Sequence, residues 1–187
     1  MKLTEGEGRE LIRLARRSID AALELRALAP FPSSAFPAGL QQHRSAFVTL
    51  RIGKELRGCC GSIEATCPLA REVWRVAWAS AFNDPRFPPL TAAEWPRVHV
   101  HISVLAPAQP LAVQTEADLI RQLRPGVDGV IVELGAARAT FLPSVWEQLP
   151  DPTLFVRHLK LKAGWSADFW SPRIAVWTYE CEGVSED

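Results

Sequence analysis

The sequence lacks the short motifs by which many enzyme classes are recognised. It contains no G-x-G-x-x-G dinucleotide fingerprint, no P-loop, no H-E-x-x-H zinc motif and no G-x-S-x-G nucleophile elbow. It also has no internal repeat at a fixed period, which is the signature of solenoid and propeller proteins. These absences argue against a dinucleotide-binding fold, a zinc protease, an α/β-hydrolase and a repeat protein.

The chain has no excess of charge of either sign and no long hydrophobic run. Its 21 Lys and Arg residues balance its 21 Asp and Glu residues, so the basic surplus typical of nucleic-acid-binding proteins is missing. Apolar runs are interrupted well before the roughly 18 residues that a membrane-spanning helix needs. The N-terminal residues also lack the apolar core of a signal peptide. We therefore expect a soluble, cytoplasmic protein that binds neither nucleic acid nor membranes.

Cysteine is scarce, and the chain has four such residues: Cys59, Cys60, Cys67 and Cys181. The adjacent pair is a poor candidate for disulfide bonds, because neighbouring strand residues point to opposite faces, and a reducing cytosol would keep all four as thiols. No C-x2-C pair is present, which argues against a zinc site built from the first three. The sequence thus predicts neither a metal nor another cofactor.

The composition is that of a folded globular protein. Hydrophobic residues make up 48% of the 187 residues, and seven of the aromatic residues are tryptophans. A chain of this length forms one domain or two closely packed subdomains, and it is long enough to bury a substantial core.

Hydrophobic periodicity and capping residues predict a succession of helices and strands. The predicted helices begin near Thr4, Pro68, Thr91, Thr115 and Asp151. The predicted strands are Ala46–Arg51, Leu56–Ile63, Val98–Val104, Gly126–Leu134, Ala139–Leu142 and Ile174–Tyr179. Two hairpins join neighbouring strands, which indicates an α+β fold of mainly antiparallel sheets with flanking helices. We expect the last strand to share a subdomain with the first helix and the first hairpin.

The most distinctive stretch is Leu56-Arg57-Gly58-Cys59-Cys60-Gly61-Ser62-Ile63, in which two glycines bracket adjacent cysteines. An extended strand would place Arg57, Cys59 and Gly61 on one face. The guanidinium would then favour the thiolate, which makes Cys59 a candidate catalytic nucleophile. Gly58 and Gly61 would let a ligand or another backbone approach closely. The competing interpretation is a tight crossing in a packed core, where both cysteines act as small apolar residues.

A second candidate is the proline-containing stretch Asp84-Pro85-Arg86. Arg86 could bind a carboxylate or phosphate through two parallel hydrogen bonds, or it could be a structural clamp on nearby carbonyl groups. We expect Arg57 and Arg86 to lie on one surface cleft that binds a small anionic ligand, with Asp84 and the two glycines beside them.

Two further pairs of residues are less informative. His99 and His101 share one strand face at a spacing that could bind a metal, but no third ligand is identifiable, so a solvated strand face is favoured. Trp74 and Trp78 lie one helical turn apart, a spacing typical of core packing.

Several stretches, in order, resemble a known family. Leu56–Ser62 resembles the L-R-G-C-I-G-T signature of the AMMECR family, known in bacteria as protein A of the AmmeMemoRadiSam system. Ser80–Leu90 resembles the family's S-A-F-x-D-P-R-F-x-P-L motif. Shorter matches occur in the family's order at Phe47–Leu50, Ile102–Leu105, Gly129–Val132, Phe141–Pro143 and Lys162–Gly164. The sequence departs from the family pattern at Cys60, Ser62, His101 and Asp128.

The resemblance implies that residues 1–187 form a single AMMECR-like domain, with a larger subdomain that contains both termini and a smaller inserted subdomain. The family's biochemical role is unestablished, and its bacterial members are linked to a Memo-like protein and a radical SAM enzyme, which are the implied partners. This chain itself lacks the C-x3-C-x2-C cluster of a radical SAM enzyme.

Two functions therefore stay open. One is a component that binds a small ligand or a partner. The other is a thiol-dependent enzyme or modification factor with Cys59 as its nucleophile, although the sequence identifies no base for it.

Overall fold

The structure is a computed structural model that describes residues 2–32 and 35–186. The described α-helices are α1 (Glu5–Leu25), α2 (Ala38–Gln41), α3 (Leu69–Phe82), α4 (Glu116–Gln122) and α5 (Pro152–Lys162). The described strands are β1 (Ala46–Ile52), β2 (Glu55–Gly61), β3 (Val98–Leu105), β4 (Gln109–Pro110), β5 (Gly129–Leu134), β6 (Ala137–Phe141), β7 (Ala175–Tyr179) and β8 (Cys181–Ser185). Short 3-10 helices cover Trp95–Arg97 and Pro143–Glu147. This mixture of helices and strands confirms the predicted α+β fold.

The strands form two four-stranded sheets, in the orders β2-β1-β3-β8 and β4-β7-β5-β6. Wherever the register is described, neighbouring strands run antiparallel. The chain divides into two compact units, which are Met1–Leu105 with Glu182–Asp187, and Ala106–Cys181. None of the helices in the described part of the chain is long and apolar enough to cross a membrane.

Helix α1 begins at the predicted capping box. The Thr4 hydroxyl accepts the Glu7 N–H, and the Glu7 carboxylate accepts the Thr4 N–H, so two otherwise unpaired groups of the first turn are satisfied. One stripe of the helix is buried and packs on α3, with Leu11 and Ile19 fully enclosed. The helix ends at Arg26, whose backbone is in the left-handed region (φ 56°, ψ 26°), a conformation that helix ends usually give to glycine.

The first sheet has one face on the core. In β3, Val98, Val100 and Ile102 are buried, whereas His99 is exposed and His101 is half-buried, so the predicted alternation is confirmed. The predicted hairpin of β1 and β2 turns at Gly53, which has a φ of +60°. Helix α3 packs against both of these strands.

The second unit is built around an aromatic cluster and one enclosed ion pair. The Trp146 and Phe155 rings are stacked with their centroids 3.8 Å apart. Lys160, on α5, is buried, and its Nζ donates to both carboxylate oxygens of Glu116 at the start of α4, at 2.8 and 2.7 Å. This pair connects the two helices of the unit.

The expectation that the last predicted strand joins the first helix and hairpin is wrong. Strand β7, which covers most of that segment, pairs with β4 and β5 in the second unit. The strand that completes the first sheet is β8, which has few apolar residues and was not predicted. The carboxylates of this terminal stretch hold it in place, because Glu182 accepts the Leu3 N–H at 2.7 Å and Glu186 pairs with Arg16.

Candidate functional site

Strand β2 carries the distinctive glycine and cysteine stretch, and it contains a β-bulge. In its pairing with β1, Leu50 lies opposite Gly58 while Arg51 lies opposite Leu56, so Arg57 is the extra, unpaired residue. A bulge redirects the side chain at that position. The period-two argument that placed Arg57 on the same face as Cys59 therefore does not hold across it.

The two glycines of this strand are required by close contacts within the protein. A Cβ atom at Gly58 would collide with the backbone carbonyl oxygen of Ser80 in α3, and one at Gly61 would collide with the ring of Phe47. The two glycines therefore leave room for the backbone of α3 and for a side chain of β1, which are parts of the protein itself.

Ser80 connects the helix to both strands of the hairpin, and sequence reasoning did not identify it. Its buried hydroxyl accepts the Cys60 N–H at 2.9 Å and lies 2.8 Å from the carbonyl oxygens of Val48 and Val76. Because β2 is at the edge of its sheet, its outward backbone groups need such partners.

Asp84 and Arg86 together hold the peptide groups of Cys59. The Asp84 carboxylate, with a side chain only 3% exposed, accepts the Cys59 N–H at 2.9 Å, and the Arg86 Nη2 donates to the Cys59 carbonyl oxygen at 3.2 Å. Arg86 also donates to both oxygens of Asp84, from Nε at 2.9 Å and from Nη2 at 2.7 Å. These hydrogen bonds from Arg86, followed by the one from Cys59, lower the pKa of Asp84 far below its usual range.

Arg57 forms a second ion pair, with Glu94. Nε and Nη2 donate to the two carboxylate oxygens at 2.8 and 3.1 Å, and Nη2 also donates to the carbonyl oxygen of Pro88 at 3.0 Å. The Arg57 side chain is 10% exposed, and its Nη1 is buried without a hydrogen-bond partner among the described residues. The hydrogen bond from Arg57, with those from Thr91, lowers the pKa of Glu94 to about 2.

One aromatic ring brings the two arginines together. The Cζ atoms of Arg57 and Arg86 lie 5.9 and 5.5 Å from the centroid of the Phe87 ring. Both cations are thus near one ring, a cation–π arrangement, and both are already paired with carboxylates. Arg86 is 55% exposed, whereas Arg57 is buried, so Arg86 is the cation available to a ligand in solution.

The Cys59 sulfur lies 3.4 Å from the Thr49 hydroxyl, on the neighbouring strand. This hydroxyl is the only hydrogen-bond partner of the thiol within residues 2–32 and 35–186. His101 lies opposite Thr49 in the register, but its ring nitrogens contact Ser185 at 2.7 Å and Ser103 at 3.2 Å. Within the residues that the structure describes, Cys59 therefore has no hydrogen bond to a base that could activate it as a nucleophile.

Burial disfavours the thiolate form of Cys60, Cys67 and Cys181. Burial raises the pKa of Cys60 and of Cys67, and it raises the pKa of Cys181 to about 12. In the part of the chain that the structure describes, no three His, Cys, Asp or Glu side chains form a group that could hold a metal ion. His99 and His101 therefore have no third ligand there.

The comparison with known proteins agrees with the fold and the motif. A family model described as AMMECR1 matches residues 12–184. The chain belongs to the AMMECR1 family. A protein from Methanothermobacter thermautotrophicus is 37% identical over 187 residues, which covers 99% of this chain and 97% of that protein. A protein from Thermofilum pendens is 38% identical over 180 residues, which covers 90% of this chain and 84% of that protein.

A solved structure is also similar. The crystal structure of the uncharacterised protein PH0010 from Pyrococcus horikoshii matches with a TM-score of 0.91 and 31% sequence identity, and the match covers 100% of this chain and 95% of that one. The names of these AMMECR1 relatives assign them no activity. The function of the family is uncharacterised.

Two departures from the AMMECR1 pattern now have structural explanations. Cys60 lies opposite the buried Val48 in the register, a position where the usual isoleucine would also suit the core. Asp128 is buried in the second unit, where Arg124 donates to its carboxylate at 2.6 Å.

The contact of β2 with α3 predicts a large difference between two glycine-to-alanine substitutions. Gly58→Ala should lower the free energy of unfolding by about 3 kcal/mol or more, because the new methyl group meets a backbone oxygen that cannot rotate away. Gly6→Ala, in open space on α1, should raise it by up to about 1 kcal/mol. Urea unfolding of both variants measures this, and equal stabilities would contradict the contact.

The Arg57–Glu94 pair predicts an acid-sensitive contribution to stability. Because the pKa of Glu94 is lowered from 4.5 to about 2 on folding, the stabilisation is complete above pH 4.5 and is lost as the pH falls toward 2. Glu94→Gln should lower the Tm at pH 7 by roughly 3–6 °C. It should also flatten the fall of Tm between these pH values, and the other carboxyl groups whose pKa values are lowered on folding, among them Asp84 and Glu186, cause the remaining slope. If the dependence of Tm on pH were the same in the variant, the Arg57–Glu94 pair would contribute nothing to stability.

Proposed function

We propose that this AMMECR1 protein is a binding component that holds a small anionic group at Arg86, on the surface beside Cys59, and that it performs no chemistry on that group. The observation that supports this proposal is the arrangement of Arg86. Its Nε and Nη2 are fixed by Asp84 and by the Cys59 carbonyl oxygen, while the side chain is 55% exposed and Nη1 has no hydrogen-bond partner in the described residues. A guanidinium held in one orientation loses little entropy on binding a carboxylate or phosphate.

The charges around this site predict weak binding. Arg57 and Arg86 are balanced by Glu94 and Asp84, so the group carries no net positive charge. An anion is therefore recognised by the directions of the remaining N–H groups, with little help from long-range attraction. Gly58 and Gly61 belong to this proposal because Gly58 lets β2 lie close to α3 and Gly61 lets it lie close to Phe47 of β1.

A thiol-dependent enzyme with Cys59 as nucleophile is the alternative. The raised pKa values of the other three thiols favour Cys59 as the reactive one. The contact of its sulfur with a hydroxyl, rather than with a histidine, favours binding over catalysis.

The resemblance to AmmeMemoRadiSam protein A supplies the proposed setting. We propose that the protein works in the cytoplasm with a Memo-like protein and a radical SAM protein. The anionic group would then belong to a molecule that one of these partners makes or uses.

The anion site predicts different effects for two arginine variants. In an NMR titration with inorganic phosphate, Arg86→Lys should weaken binding about three- to tenfold, because an ammonium group on a flexible stem is not held in one orientation as this guanidinium is. Arg86→Gln should abolish binding. Arg13→Gln, which removes an exposed arginine from α1, is the matched control and should bind phosphate as the original protein does. Unchanged affinity in both Arg86 variants would refute the anion site.

Limited alkylation separates binding from thiol chemistry. With substoichiometric iodoacetamide at pH 7.5, Cys59 should be labelled first and Cys181 last, as the raised pKa of Cys181 requires. Under the binding proposal, Cys59→Ser retains phosphate affinity within about twofold. Loss of binding in Cys59→Ser, with an unchanged Tm, would favour the thiol enzyme instead.

A further inference from the structure

The first unit has an apolar groove that the proposed anion site does not use. It has a volume of about 540 Å³ and lies where the last turns of α1 and α3 meet the segment that follows Pro88. Its lining residues are Ala22, Leu23, Arg26, Trp78, Phe82, Pro89, Leu90 and Ala92. Most of these side chains are apolar, and the volume is within the range of small-molecule sites.

One cation lines this groove, and its backbone is in an unusual state. Arg26 is the only non-glycine residue with a positive φ in the described part of the chain. Glycine is the usual residue in this left-handed position at the end of a helix, because a Cβ atom is disfavoured there. The guanidinium of Arg26 forms no ion pair or hydrogen bond within residues 2–32 and 35–186. The backbone cost of an arginine here is therefore not offset by an ion pair or hydrogen bond of its side chain.

A tryptophan, Trp78, also lines the groove. The sequence pattern predicted that Trp74 and Trp78 both pack in the core, but they differ. Trp74 is buried, and its Nε1 donates to the carbonyl oxygen of Ala29 at 3.0 Å. Trp78 is half-buried, and its indole N–H has no acceptor among the described residues. The Trp78 N–H can therefore donate to an acceptor from outside the protein.

We propose that this groove binds a small-molecule carboxylic acid with an apolar body. The apolar walls bury the body, the Arg26 guanidinium pairs with the carboxylate, and the Trp78 indole N–H is a second donor. Because α1 ends at the groove, the partial negative charge of its last carbonyl groups repels an anion. The full positive charge of Arg26 is needed to make the site attractive to a carboxylate.

The size of the groove and its single cation favour a free small molecule as the occupant. A folded partner needs a much larger contact surface for a stable complex, on the order of 800 Å² of accessible surface from each side. One aromatic or branched acid can fill this groove. Arg26 would supply the charge that recognises it, and Trp78 would supply the hydrogen-bond donor.

The test uses 4-phenylbutanoate and its neutral amide as probes, with the full chain and isothermal titration calorimetry. The acid should bind about tenfold more tightly than the amide, which reports the pairing with the cation. Arg26→Gly should bring the two probes within about twofold of each other without lowering the Tm, since glycine accepts the left-handed backbone. Trp78→Phe, which keeps an aromatic ring but removes the N–H donor, should weaken binding of the acid about threefold.

Arg17→Gln is the matched control, because it removes an exposed arginine of the same helix that does not line the groove. It should leave the affinities of both probes unchanged. Equal binding of acid and amide to the original protein, or unchanged preference for the acid in Arg26→Gly, would overturn the proposal. Self-association that increases with protein concentration and is abolished by Trp78→Phe would assign the groove to a second copy of the chain instead. The phosphate titration at Arg86 is independent of each of these outcomes.

Discussion

The close contact between strand β2 and helix α3 is the constraint on which the candidate site depends. Gly58 lies against the carbonyl oxygen of Ser80, and the Ser80 hydroxyl accepts the next peptide N–H of the strand, that of Cys60. Because α3 ends at Phe82, this contact also fixes where the chain leaves the helix. Asp84 therefore lies where its carboxylate accepts the Cys59 N–H, at the open edge of the sheet. The glycine determines the position of the carboxylate, although the two residues are far apart in sequence.

The two ion pairs then fasten the segment after α3 to the edge strand. Arg57 reaches outward from β2 to Glu94, and Arg86 reaches back from the segment to the Cys59 carbonyl oxygen. Each pair uses two parallel hydrogen bonds, which fixes the planes of both guanidinium groups. Removing one partner of the more enclosed pair would leave a charge or donor buried without compensation, and Arg57 Nη1 already lacks an acceptor. The arginines thus contribute mainly to positioning, and only the exposed one retains capacity for a ligand.

Local features could be predicted from the sequence, because they depend on residues close together in the chain. The capping box of α1 and the alternation of β3 are examples. The bulge at Arg57 could not be predicted, since it is set by the pairing of two strands and by a carboxylate 37 residues away. Thr91 could be recognised as a capping residue, and its N–H does donate to Glu94, but the pairing of Glu94 with Arg57 is visible only in three dimensions. Strand β8 was missed because sheet pairing and terminal carboxylates define it, rather than apolar alternation.

One short segment connects Arg57 with the apolar groove. The carbonyl oxygen of Pro88 accepts a hydrogen bond from Arg57, while the next two residues, Pro89 and Leu90, line the groove. The Leu90 N–H donates to the Ala81 carbonyl oxygen at 2.8 Å, which ties the same segment to the end of α3. Two consecutive prolines restrict the backbone between these attachments, so little rotation is available to absorb a displacement. The position of Pro88 relative to Arg57 and the shape of the groove wall are therefore set by the same few backbone angles.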